Sequence, residues 1–167
     1  MSEHDTRENR STRVHQHVDA PRDVVYRLLL DPVAIVLWRV PDGMSAHVHE
    51  FDAREGGRLR VSLTYSDPSG IGKTTSHTDT YTGYFARLVP NELVVEVDRF
   101  ETDDPALAAP MTSTIALRDA PAGGTDVVGL HEGLPAGLSL ADNETGWRMA
   151  LGKLATLAQE NVRWRNL

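Results

Sequence analysis

The sequence predicts an α+β fold in which one long C-terminal helix lies across the concave side of a curved, seven-stranded antiparallel sheet. Three observations carry it. From Asp142 to Trp164, the apolar residues Trp147, Ala150, Leu151, Leu154, Ala155, Ala158 and Val162 recur at three- and four-residue steps, the period of a helix with one buried face. Between Ser45 and Glu132 the pattern changes to period two, broken at intervals by turn residues, as in a meander of strands. Ahead of the meander stand one strand and two short helices, each helix introduced by a proline.

In chain order, residues 1–11 hold no apolar residue after Met1, so a flexible tail is expected there and a single domain over 12–164. Val14, Gln16 and Val18 alternate with Arg13, His15 and His17, giving a strand with its histidines in solvent. Pro21 opens a helix whose apolar face is Val24, Val25, Leu28 and Leu29; Asp31-Pro32 breaks it and starts a second that runs to Trp38. Strands follow near Ser45–Ala53, Arg58–Ser66, Thr75–Val89, Leu93–Phe100, Met111–Leu117 and Thr125–Glu132. Arg54-Glu55-Gly56-Gly57, Pro90-Asn91 and Asp119–Gly124 supply hairpin chemistry, and Glu101–Pro110 reads as a mobile loop. Asp142 or Asn143 is the expected cap of the final helix. A long sheet must curve, and a helix gripped at a distance leaves a cleft beneath it, where small ligands usually bind.

Composition narrows the function. Seventeen basic against 24 acidic residues, net −7, repel phosphates over most of the surface, so nucleic acid and anionic membrane are not expected partners. The chain has no cysteine, which excludes disulfides and thiolate chemistry. No signal peptide and no apolar run of membrane-spanning length is visible, so a cytoplasmic protein is expected. Nothing resembles a nucleophile elbow, a phosphate loop or a dinucleotide fingerprint, and no cofactor is expected.

The run DAPRDVVYRLLLDP, then Trp38, FDAREGGRL, YTGYFARLVPNELV, GGTDVVGLHEGLP and ETGWRMALGKLATL resembles, in that order over about residues 12–160, the bacterial proteins related to the C-terminal domain of the Hsp90 ATPase activator. These belong to the START-like, Bet v 1-like superfamily, which also holds polyketide cyclases and aromatases. The resemblance implies the helix-grip fold. It implies less about function, because superfamily members bind lipids, hormones and polyketides or have no known ligand.

The leading expectation is a non-catalytic protein that binds a small, mostly apolar molecule in a hydrophobic cavity between sheet and helix. Trp38, Tyr65, Tyr81, Phe85, Phe100, Met111, Leu134, Leu138, Trp147 and Leu151 are the expected lining, with Leu134–Leu140 as a lid. The alternative is a polyketide cyclase or aromatase using His77, Tyr81 or His131 as acid and base, His131 being followed by Glu132. The third reading is a protein-interaction module; chaperone activation is not expected of a chain without the activator's additional N-terminal domain. His15-x-His17 and His47-x-His49 have the two-residue spacing of paired metal ligands, but no metal site is expected, since the first pair faces solvent. Arg54 is expected to pair with Asp52. Trp164 and Leu167 either fray or form a homodimer contact with an edge strand.

Overall fold

The computed structural model describes residues 10–165. Strand β1 (Ser11–Val18) is followed by helices α1 (Arg22–Leu29) and α2 (Pro32–Trp38). Then come β2 (Met44–Phe51), β3 (Arg58–Tyr65), β4 (Thr78–Val89), β5 (Leu93–Phe100), β6 (Met111–Asp119) and β7 (Thr125–Glu132), and finally α3 (Leu140–Arg165). The sheet is antiparallel throughout, ordered β1-β7-β6-β5-β4-β3-β2. Register shifts in β2 between Val48 and Glu50 and in β4 between Phe85 and Arg87 mark bulges, which bend a strand and raise its twist. Among the described residues no helix is long and apolar enough to cross a membrane.

The core lies between the three helices and one face of the sheet, with buried side chains from β1 and from β3 to β7. Leu151 and Leu154 on α3, Val18 on β1 and Val127 on β7 are fully buried. Burying each such side chain stabilises by about 1.5–3 kcal/mol, which is why the apolar stripe of α3 dictates its place. Trp38, the last residue of α2, is buried, its indole N–H donating to the Leu28 carbonyl at 3.1 Å.

Several expectations are corrected. Residues 1–9 of the proposed tail lie outside the described residues, but Ser11 already belongs to β1, and Arg10 is tied down. Its guanidinium donates to the carbonyls of Leu134, Pro135 and Leu138, and the Leu134 N–H returns a bond to the Arg10 carbonyl at 3.1 Å. β4 begins at Thr78, not Thr75, because the Thr74 and Thr75 amides fold back on the Thr78 carbonyl. Ser139 caps α3, its hydroxyl accepting from the Asp142 N–H at 3.2 Å. That frees Asn143, expected as a cap, to point elsewhere. The 101–110 segment is irregular, yet the Gly137 N–H donates to its Ala106 carbonyl at 2.8 Å.

Candidate functional site

A cavity of about 540 Å³ opens between the N-terminal half of α3 and the β3-β4-β5-β6-β7 side of the sheet. Trp147, Asn143 and Ala150 on α3 form one wall; Leu63 and Tyr65 of β3, Tyr81 of β4, Phe100 of β5 and Met111 of β6 form the sheet wall. Gly137, Leu138 and Ser139 cover one end. Lys153 of α3 fixes the opposite rim, its ammonium donating to the Val40 carbonyl at 2.6 Å and pairing with Asp42 at 2.9 Å.

Of the residues expected to line it, Tyr65, Tyr81, Phe100, Met111, Leu138 and Trp147 do so. Trp38, Phe85, Leu134 and Leu151 do not. Trp38 and Leu151 are core, and Phe85 is fully buried edge-to-face against Phe51, with ring centroids 5.3 Å apart. Leu134 is buried beneath the covering segment with Met111 and Leu138, where it anchors that segment instead of facing the cavity. His77 sits on the exposed β3–β4 connection, its ring bonded to the Gly70 carbonyl at 2.7 Å. His15, His17, His47 and His49 are exposed, and no group of three or more metal-ligating side chains occurs among the described residues. Arg54 pairs with Asp52 at 2.7 Å on the surface. Trp164 is exposed on α3, and Leu167 lies outside the described residues.

The most polar part of the cavity was not anticipated. Alternation along β5 leaves two choices for the inward face, and the valine-rich set Leu93, Val95 and Val97 looks the more apolar. The structure turns Val94, Glu96, Asp98 and Phe100 inward instead, burying two acids. What neutralises them is Arg39, the first residue beyond α2. Its Nη1 donates to both Glu96 oxygens at 2.8 and 2.7 Å, and Nη2 lies 3.5 Å from Asp98 Oδ2. The guanidinium carbon is 5.4 Å from the ring centroids of both Tyr81 and Trp147, so an aromatic ring flanks it on two sides. The faint signal in the sequence is parity: Glu96 and Asp98 share a strand face with Val94, and a buried acid pair requires a cation elsewhere.

Environment sets the protonation of the group. Burial works against the Arg39 charge, but Glu96, with Tyr81 and Asp98, outweighs it and holds the guanidinium more firmly protonated than usual. Burial, and after it the adjacent Glu96 carboxylate, pushes the Asp98 carboxyl well above the ordinary range, which favours its neutral form. Burial likewise raises the Tyr81 phenol. Neither the Tyr81 hydroxyl nor Asp98 Oδ1 has a hydrogen-bond partner, although both are buried and both residues line the cavity. Lys73, part-exposed, pairs with the buried Asp79 at 2.8 Å beside Phe100.

At the helix end of the cavity, His131 is held in one tautomer. The Trp147 indole can only donate, and it donates to His131 Nδ1 at 3.1 Å. Asn143 Nδ2 reaches the same nitrogen at 3.1 Å, while its Oδ1 accepts from the Thr12 hydroxyl at 2.6 Å. Nδ1 therefore carries the lone pair and Nε2 the hydrogen. Burial, and next the Arg39 charge, pulls the imidazole pKa down to about 4, so the ring is neutral at physiological pH.

Gly83 makes this arrangement possible. A Cβ there would come within 2.2 Å of both Asp98 Oδ1 and the Val97 carbonyl, and backbone cannot step aside cheaply. Gly83→Ala is expected to cost about 1–3 kcal/mol, the usual penalty of overpacking, read as a lower urea midpoint. An unchanged midpoint would mean that β5 moves freely there.

The family model described as Activator of Hsp90 ATPase homolog 1-like protein matches residues 19–159. Among solved structures, a protein from Chromobacterium violaceum is 32% identical, with a TM-score of 0.79 over 89% of this chain and 96% of that one. A protein from Arthrobacter aurescens is 16% identical, TM-score 0.75, over 92% of this chain and 88% of that one. DynU16, from the dynemicin biosynthetic locus, is 18% identical, TM-score 0.64, over 90% of this chain and 48% of that one. At such identities the last two share the fold alone. No curated protein matches the sequence.

Proposed function

Because the chain belongs to the Activator of Hsp90 ATPase homolog 1-like family, whose fold does not by itself assign an activity, we propose from the site that it binds a small molecule without transforming it. The observation that carries this reading is the cavity of about 540 Å³, walled partly by aromatic and aliphatic side chains and partly by polar and charged ones, Arg39, Lys73, Asp79, Asp98 and His131 among them. The ligand is not uniformly apolar: Leu63, Phe100 and Met111 offer it an apolar wall, and Arg39, Tyr81 and His131 a polar one.

The cyclase or aromatase reading lacks a free base among the histidines it would use, and the Asp98 carboxyl, whose Oδ1 has no partner, is held toward its neutral form. His131 Nδ1 already takes two donors, and Asp79 is bound through one oxygen to the Lys73 ammonium and through the other to the Lys73 N–H. His77 is remote. A general base needs an open lone pair within reach of the substrate proton. The chaperone reading rests on the family's description alone.

Native mass spectrometry of the protein from its own host, beside a denatured control, tests the proposal. A retained small molecule is expected, and Trp147→Ala is expected to lose it. Turnover of that molecule on incubation would replace binding with catalysis.

A further inference from the structure

Resting on the cavity-binding reading, we propose that the ligand is an uncharged molecule whose carbonyl oxygen accepts a hydrogen bond from His131 Nε2, with Tyr81 as a second donor in the same cavity. The cavity keeps hydrogen-bond donors that the protein does not use. The tautomer fixed by Trp147 and Asn143 places a hydrogen on His131 Nε2, and no described residue accepts it. The Tyr81 hydroxyl is buried without a partner, and an unmet buried polar group is one that a ligand can satisfy. Arg39 holds more N–H donors than Glu96 and Asp98 use. Asp98 Oδ1 is the unpartnered acceptor, so the surplus lies on the donor side.

Charge then selects among acceptors. Arg39 is offset by Glu96 and Lys73 by Asp79, each at 2.8 Å or less, while Asp98 is held toward its neutral form and His131 resists protonation. A carboxylate would enter as an unpaired charge in a place that burial makes costly, and an ammonium would meet the Asp142 carboxylate of the lining only where that residue is exposed to water. A carbonyl accepts without bringing charge. Its apolar body would lie along Phe100 and Met111.

The test is equilibrium dialysis against four compounds with one naphthalene body: 2-acetylnaphthalene, 2-ethylnaphthalene, 2-naphthoate and 2-naphthylmethylammonium. Wild-type protein is expected to hold the ketone about tenfold more tightly than the hydrocarbon, the worth of one net hydrogen bond, and more tightly than either ion. In His131→Phe the ketone preference should fall to near unity while the hydrocarbon still binds. Tyr81→Phe, which removes a hydroxyl that bonds nothing in the protein, should fold normally and lose part of the preference. Equal binding of ketone and hydrocarbon would overturn the carbonyl inference and leave cavity binding standing. Tightest binding of either ion would overturn the uncharged class. Binding of none of the four would overturn both readings. Should His131→Phe fail to fold, the wild-type series and Tyr81→Phe decide the matter.

Discussion

Replacing Arg39 by alanine lowers the thermal midpoint by about 6–20 °C. The figure follows from the cost of breaking a buried ion pair, about 3–5 kcal/mol, and about 2–4 °C per kcal/mol for a chain of this size. Arg39, Glu96 and Asp98 expose 12%, 4% and 5% of their side chains, so water cannot take over the guanidinium's role. Removing it leaves Glu96 beside Asp98 with no cation between them. The double variant Arg39→Met with Glu96→Gln should recover most of the loss, since it removes the charge with its partner. Arg54→Ala is the control: Arg54 also pairs with an aspartate, but at 76% side-chain exposure its pair is worth little. Equal midpoints for Arg39→Ala and Arg54→Ala would refute a buried, structural Arg39.

His131 makes stability fall as the solution is acidified from about pH 6.5 to 4. The folded protein holds the imidazole pKa near 4 against an ordinary 6.5, so in that interval the unfolded chain binds a proton that the folded one rejects. The contribution is complete above pH 6.5 and is lost as pH drops through the folded value. It amounts to about 3 kcal/mol across the interval. Asp98, displaced upward, works in the opposite sense, gaining relative stability as it protonates. Comparing wild type with His131→Gln isolates the histidine, because glutamine can still accept from Trp147 but does not titrate. The fall in urea midpoint from pH 7 to pH 4.5 should be smaller in the variant than in wild type. Parallel curves for both proteins would show that His131 takes up its proton in the fold.

The sequence disclosed the architecture because its two periodicities do not overlap. The three- and four-residue stripe of α3 and the alternation of β1 and β6 each admit one buried face, and the elements fell where those faces required. The aromatic half of the cavity was legible for the same reason. The polar half was not. On β5 the face of Leu93, Val95 and Val97 is the more apolar, so alternation favoured the wrong face and hid that Glu96 and Asp98 turn inward. Arg39 follows a helix and carries no periodic mark, and its partners lie 57 and 59 residues away. The His131 constellation joins Thr12, Asn143 and Trp147 across β1, β7 and α3, a convergence only the folded topology creates. Nor did the sequence separate lining from core, since Leu151 belongs to the same helical stripe as Trp147 yet sits wholly inside.

The pairing of β1 with β7 also governs when the protein can become native during synthesis. The first strand leaves the ribosome early, but its only sheet neighbour among the described residues is the last strand, and Thr12 waits for Asn143, 131 residues later. The β2–β6 meander can zip up as it emerges, because each of its strands pairs with the next. Until β7 and α3 are released, the apolar face of β1 has no sheet partner and no helix to cover it. Long-range closure of this kind slows folding, and the nascent chain has an extended interval in which a chaperone can bind it.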